Sequence, residues 1–210
     1  MPRKSKTTSS EKRFSAVPPK AVAPVTPVAA KPVAEVKAPA APAVVAFDGL
    51  LESLKNIDAD VAREAATSLG AAGNPAAVPV LIEVLKNTNH YFHSVVRSAA
   101  ASSLAALKDL RAVDALIEAV SDPITDSSTE AIHALVALGD RRAVAKLVEV
   151  TRNANNFFAG SVRHAAVAGL IKFGGEPAGA ELKRLAAETD EDATIREQAA
   201  QAVKPVTVKA

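Results

Sequence analysis

Apolar residues recur three and four positions apart over most of residues 47–206, with polar residues between them. That period predicts amphipathic helices that each bury one face. The blocks also repeat. Leu50-Leu51-Glu52-Ser53-Leu54, Leu81-Ile82-Glu83-Val84-Leu85, Leu116-Ile117-Glu118-Ala119-Val120 and Leu147-Val148-Glu149-Val150-Thr151 align directly, and Leu182-Lys183-Arg184-Leu185 is a weaker fifth copy. An Ala-rich stretch follows each block: Ala65-Ala66, Ala99-Ala100-Ala101, Ala131-Ile132, Ala165-Ala166 and Ala199-Ala200. The first four run on to Leu69, Leu104, Leu135 and Leu170, with leucine spacings of 35, 31 and 35 by subtraction; Val203 closes the last. Each unit therefore reads as two short helices, A and B, joined by a turn. One such hairpin cannot bury its apolar face alone, whereas about five stacked units build a continuous core.

Local punctuation agrees with this division. Ser127-x-x-Glu130 and Thr194-x-x-Glu197 have capping-box spacing and predict B-helix starts. Gly70, Gly73, Gly139, Gly174 and Gly175 predict B-helix ends, and Pro75 and Pro177 fall between units. The expected fold is an all-α, right-handed α-solenoid of about five helix pairs.

Composition separates a tail from this body. Residues 1–46 hold 8 of the 13 prolines, none of the 9 glycines, and 8 basic residues against 2 acidic ones, a net of +6. Such a stretch predicts a disordered Pro/Ala/Lys-rich tail with polyproline II character. A solvated linker is the preferred reading; the basic, Ser/Thr-rich first twenty residues also fit a transit peptide. Residues 47–210 carry 17 basic and 21 acidic side chains, a net of −4, a poor match for nucleic acid. Nucleic-acid association is an expectation for the tail alone. Residues 207–210 read as a C-terminal tail. No cysteine is present, which excludes disulfides, thiolate metal sites and a cysteine nucleophile. No apolar run suits a membrane span. A cytoplasmic location is expected, with no cofactor and no small-molecule substrate.

The A-helix Leu-Ile-Glu followed by Val96-Arg97, Ala99-Ala100 and Leu104, with links such as Gly73-Asn74-Pro75 and Gly139-Asp140-Arg141, resembles the HEAT-repeat superfamily. The match is best to its short bacterial type, named after phycobilisome lyases, and it covers residues 47–206. The resemblance implies a helical solenoid. It does not imply one activity, because such repeats serve protein binding, bilin lyase subunits and metal-dependent hydroxylases alike. The hydroxylases use His-Glu pairs, and none of His90, His93, His133 or His164 is followed by Glu. The first expectation is a non-enzymatic protein-binding scaffold. A lyase-like or chaperone subunit acting on a chromophore-bearing protein is the alternative.

A second-order repeat supplies the main candidate site. Residues 87–97 (NTNHYFHSVVR) align without a gap to residues 153–163 (NANNFFAGSVR), 66 positions apart. Both lie between helices A and B and read as four residues longer than the equivalent turns near Asp58 and Asp122. They hold Tyr91, Phe92, Phe157 and Phe158, four of the seven aromatic residues. The insert either extends helix B or forms a loop. The rings read either as grips for a partner or as staples over neighbouring helix ends, and one ring of each pair can do each.

Arg97 and Arg163, with Arg196, share one position at the start of helix B. They read as a clamp for an acidic peptide or as inter-repeat ion pairs. His90 and His93 flank Tyr91-Phe92, but two imidazoles without a third ligand do not make a metal site. The helix-B period places Arg63, Ser98, Thr129, His164 and Glu197, then Thr67, Ser102, His133, Ala168 and Gln201, along a concave groove suited to a peptide. The partner-binding candidates are thus Tyr91, Phe92, Phe157, Phe158, His90, His93, Arg97, Arg163, Thr129, His133 and His164.

Overall fold

The computed structural model describes residues 41–204 apart from Asn89 and Asp190. The tail reading for residues 1–40 and for 207–210 lies outside these. Within them are five antiparallel helix pairs: α1 (Ala41–Leu54) with α2 (Ala59–Ala71), α3 (Ala77–Lys86) with α4 (Ser94–Leu107), α5 (Val113–Ala119) with α6 (Thr125–Leu138), α7 (Ala143–Arg152) with α8 (Gly160–Phe173), and α9 (Ala178–Ala187) with α10 (Ala193–Val203). A short 3-10 turn, Leu110–Ala112, leads into α5. Among the described residues there is no strand. Helix α1 opens at Ala41, so 41–46 join the first helix where composition alone assigns them to the tail. Pro42 falls in its first turn, where its missing N–H has no helical partner to lose.

The even-numbered B helices pack against one another along the stack, α2 on α4 on α6 on α8 on α10. The odd-numbered A helices lie outside them and touch each other less. That is a two-layer stack in which the B helices form the continuously packed layer. Small residues set the spacing of the B layer. Ala66, Ala100, Ala131, Ala166 and Ala199 are fully buried, as are Leu69, Leu104, Leu135 and Leu170 behind them. Gly70, in the last turn of α2, also belongs to this packing: a Cβ there would stand 2.5 Å from the Cβ of Ser103 on α4. The Ser103 hydroxyl donates to the Ala66 carbonyl at 2.9 Å, satisfying itself inside the interface. Gly139 does end α6, with φ +71°.

The capping boxes are corrected. Helix α6 starts at Thr125, two residues before Ser127, and Ser127 is buried with its hydroxyl donating to Ser94 O at 3.2 Å. Helix α10 is capped by Asp192, which accepts from the Thr194 and Ile195 N–H groups. In both cases an extended residue earlier in the chain starts the helix, and the Ser/Thr falls inside its first turn.

Candidate functional site

The two long inserts form loops and do not lengthen helix B. Asn87 ends α3 and Asn153 ends α7 in the left-handed region, at φ 44° and 43°. Asn tolerates that conformation better than most residues. Each side-chain amide then brackets the loop it opens. Phe92 N–H donates to Asn87 Oδ1 at 2.8 Å, and Asn87 Nδ2 donates to Phe92 O at 3.2 Å. Phe158 and Asn153 repeat this at 2.8 and 3.1 Å. The amide thus replaces the backbone ladder the turn has interrupted. The signal was legible as an Asn at both position 87 and position 153, but its role was not.

The bracket fixes the ring pair that follows. Tyr91 and Phe92 meet edge to face with centroids 5.1 Å apart, and Phe157 and Phe158 do so at 4.9 Å. Phe92 and Phe158 pack against the core. Tyr91 and Phe157 are each 55% exposed. One ring of each pair is therefore a staple and the other stands in solvent. The Tyr91 hydroxyl donates to Lys55 O at 2.5 Å, just past the end of α1, and ties the loop to the preceding unit. Phe157 has no hydroxyl and no such tie. Lys146 lies 5.8 Å above the Phe158 ring, on the α7 side.

Arg97 and Arg163 are structural pins. Arg97 is 9% exposed. Its Nε and Nη2 bond the Asp122 carboxylate at 2.6 and 2.9 Å, and Nη1 bonds Phe92 O at 2.8 Å. Arg163 Nη2 reaches both Glu191 oxygens at 2.7 and 2.6 Å and Thr151 O at 3.0 Å. Arg196 donates to Thr189 O at 3.1 Å. The clamp for a peptide is corrected on this point: guanidinium groups already paired to carboxylates of the following unit are not available to a ligand. His93 caps α4, its Nδ1 accepting from Val95 N–H at 3.4 Å, while His90 is exposed at φ 53°.

The exposed rings belong to a longer row. Ile57, in the α1–α2 turn, is 97% exposed, and Ile124, in the α5–α6 turn, is 43% exposed. With Tyr91 and Phe157 they occupy positions 57, 91, 124 and 157, spaced by 34, 33 and 33, one per unit on the same edge. Ile57 and Ile124 were not anticipated, because they lie in short turns without aromatic residues; the regular spacing was the available signal. A groove of about 720 Å³ includes Ile57, Tyr91, Ile124, Glu118 and Ser121, and another of about 890 Å³ includes Phe157, Glu149, Arg152 and Ser121. Ser121 borders both, so the two grooves run on from one another.

The B-helix face carries a separate trough of about 660 Å³ that brings together Arg63, Thr67, Ser98, Ser102 and Thr129. These are five of the residues expected to line it. His133 and His164 stand outside the trough, against Glu130 at 3.6 Å and Asp192 at 3.9 Å respectively. Among the described residues no three His, Asp or Glu side chains converge to hold a metal ion.

At the far end of α7, Thr151 and Arg152 lean on Glu181 of α9, which is 3% exposed. Thr151 Oγ1 donates to it at 3.1 Å, Arg152 Nε at 3.2 Å and Arg184 Nη2 at 2.7 Å. Burial alone would raise this carboxyl. Arg184, by hydrogen bond and charge, with Thr151 and Arg152, outweighs burial and holds it below the ordinary glutamate range.

Paired helices stacked in two layers, one hairpin per repeat, define a helical repeat solenoid. The HEAT-repeats family model matches residues 47–127 and 91–159, more than half of the chain, and the chain belongs to that family. No curated protein matches it significantly. Among solved structures it is similar to a chain of the CpcE–CpcF complex of phycocyanin lyase from Nostoc sp. PCC7120. The identity is 24% and the TM-score 0.57, over 77% of this chain and 99% of that one. It also matches human deoxyhypusine hydroxylase in complex with glycerol, at 18% identity and TM-score 0.39, over 76% of this chain and 84% of that one. The likeness to the lyase chain concerns the fold. Among the described residues no helix is long and apolar enough to cross a membrane.

Proposed function

We propose that the chain is a non-enzymatic protein-interaction scaffold that grips its partner along the A–B turn edge. The observation that carries this reading is the paired placement of Tyr91 and Phe157. Each is 55% exposed on a loop braced by its own Asn amide, two units apart. Leaving about half of a large ring in water forgoes on the order of 1 kcal/mol of burial, and a braced loop cannot fold the ring away. Aromatic residues held in this manner lose little entropy when a partner covers them.

The test compares the full chain with its Tyr91→Ala/Phe157→Ala variant in capture from lysate of the source organism. A protein retained by the first and lost by the second, with matching circular dichroism, supports the reading. An unfolded variant makes the turns structural, and an unchanged set of captured proteins removes the edge from function.

A second reading, a lyase-type subunit, draws support from the fold it shares with a chain of the phycocyanin lyase complex. It expects a co-purifying tetrapyrrole with a visible absorbance band, and the absorbance spectrum of freshly purified protein tests it.

A further inference from the structure

The row Ile57, Tyr91, Ile124 and Phe157 has a pitch, and the pitch selects a partner. Neighbouring packed helices stand about 8–10 Å apart, so one unit advances the row by about 10 Å. Seven residues of α-helix advance 10.5 Å at 1.5 Å per residue. An amphipathic helix with an apolar residue at every seventh position therefore meets each row residue in register. Four anchors need three such steps, or about 22 residues.

An extended or polyproline partner comes near the same pitch with three residues per step. Its backbone carbonyls would rely on water and on scattered side chains beside the row, such as Ser121 and Asn155, because the row residues themselves offer no donor. Three of the four residues are hydrocarbon, and the Tyr91 hydroxyl is already given to Lys55 O. The amides of Asn87 and Asn153 are committed to their own loops. A helix satisfies its backbone internally and asks only for apolar cover.

The margins supply the charge. On the B-helix side, Ile57 is followed by exposed Asp58 and by Asp60, whose side chain is 86% exposed. Ile124 is followed by exposed Asp126, and beyond the row comes Asp192, 54% exposed. Of the basic residues at the B-helix starts, Arg97 and Arg163 are sequestered in ion pairs, Arg63 faces Asp60 at 3.5 Å and Arg196 is held on Thr189 O, which leaves Asp58, Asp126 and Asp192 without an arginine partner among the described residues. On the A-helix side the charges balance. Glu118 faces Lys86 at 3.7 Å, Glu149 faces Lys146 at 2.7 Å, and Arg152 is drawn to Glu181. The complement is a helix with lysine or arginine along one flank of its apolar seam.

From this we infer that the edge is a docking surface for an amphipathic helix of a partner protein, apolar at heptad intervals and basic on the flank that meets the B-helix side. The inference rests on the interaction-scaffold reading and names the partner's chemistry. The experiment uses the full chain and three labelled 22-residue peptides of helical propensity, read by fluorescence anisotropy. The first has Leu at every seventh position with Lys on one flank. The second has the same composition with the Leu residues clustered, and the third replaces Lys by Glu.

The first peptide is expected to bind at least tenfold more tightly than either other. Ile57→Ser/Ile124→Ser should weaken it at least tenfold, and Asp60→Lys/Asp126→Lys several-fold, with circular dichroism unchanged. Ile57 is almost fully exposed, so its replacement tests contact without disturbing the core. Equal binding of the three peptides, no binding of the first, or indifference to Ile57→Ser/Ile124→Ser overturns the inference. So does a chain that self-associates through the row, shown by a dimer on sedimentation that Ile57→Ser/Ile124→Ser dissolves; the occupant is then a second copy. If the first peptide fails while Tyr91→Ala/Phe157→Ala still loses a cellular partner, the helix is wrong and the scaffold reading stands. If both fail, the scaffold reading fails with it.

Discussion

In the first long turn Arg97 uses three nitrogens, two on the Asp122 carboxylate and one on the Phe92 carbonyl that closes its own loop. In the second, Arg163 makes all its bonds through Nη2, and its buried Nε has no hydrogen-bond partner. The loops around them are otherwise near copies, with the same left-handed Asn and the same edge-to-face rings. The difference lies in what each arginine fastens. Arg97 locks loop, helix start and following unit into one network, whereas Arg163 ties the α7 end to the following unit and leaves the loop to its Asn. Removing a buried partner strands the remaining charge at a cost of about 3–5 kcal/mol. Arg97→Met should reach that range in urea unfolding. Arg163→Met should cost less by about one hydrogen bond, ~1 kcal/mol. The reverse order would show that the number of nitrogens engaged does not rank the two pins.

The brackets should behave alike where the arginines differ. Asn87→Ala and Asn153→Ala each remove two hydrogen bonds, worth about 1 kcal/mol apiece, and place a Cβ residue without Asn's local bonding in the left-handed region, about 1 kcal/mol more. Losses of about 2–3 kcal/mol, equal within error, are expected from thermal or urea melts. The Gly variants separate the two contributions, because Gly keeps the backbone and loses only the amide. A large gap between the two Ala variants would mean that the tether of Tyr91 to Lys55 carries part of the first loop.

The repeat was readable in the sequence because burial imposes a period on it. Leu69, Leu104, Leu135 and Leu170 recur since each fills the same fully buried place, and the 66-residue echo of NTNHYFHSVVR in NANNFFAGSVR located the two loops. What was not readable depends on where side chains end. In sequence Arg97 allows a peptide clamp or an inter-repeat ion pair; only the fold brings Asp122, 25 residues on, to its guanidinium and decides for the ion pair. Ser127 and Glu130 have the spacing of a capping box, but Ile124, three residues before Ser127, holds the N-cap position. Ile57 and Ile124 escaped because their regular spacing from Tyr91 and Phe157 points to one edge only once the units are known to stack.

A smaller effect separates the exposed rings. Tyr91→Phe deletes the bond to Lys55 O and should cost about 0.5–1.5 kcal/mol, whereas Phe157→Tyr adds a hydroxyl with no counterpart to Lys55 and should change stability little. Urea melts of the two variants side by side check this. Equal effects would show that the Tyr91 tie is not formed in solution.

Acid distinguishes the two turns most subtly. The A helix before the first turn leans outward through Lys86 on exposed Glu118, at 3.7 Å. The one before the second leans inward through Thr151 and Arg152 on Glu181, 3% exposed. The Glu181 carboxyl is pushed up by burial but held below its ordinary value of 4.5 by Arg184, Thr151 and Arg152. A depressed folded value means that folding favours the carboxylate. Its contribution is therefore complete above the unfolded value and is lost as pH falls through the lowered folded one. Amide hydrogen exchange between pH 6 and about 3 should show the Asn153–Phe158 loop losing protection relative to the Asn87–Phe92 loop, after correction for intrinsic rates. Glu181→Gln should remove most of that difference by lowering protection of the second loop already at pH 6. Parallel loss in both loops, or a difference that persists unchanged in Glu181→Gln, would place the acid sensitivity elsewhere than at this buried carboxylate.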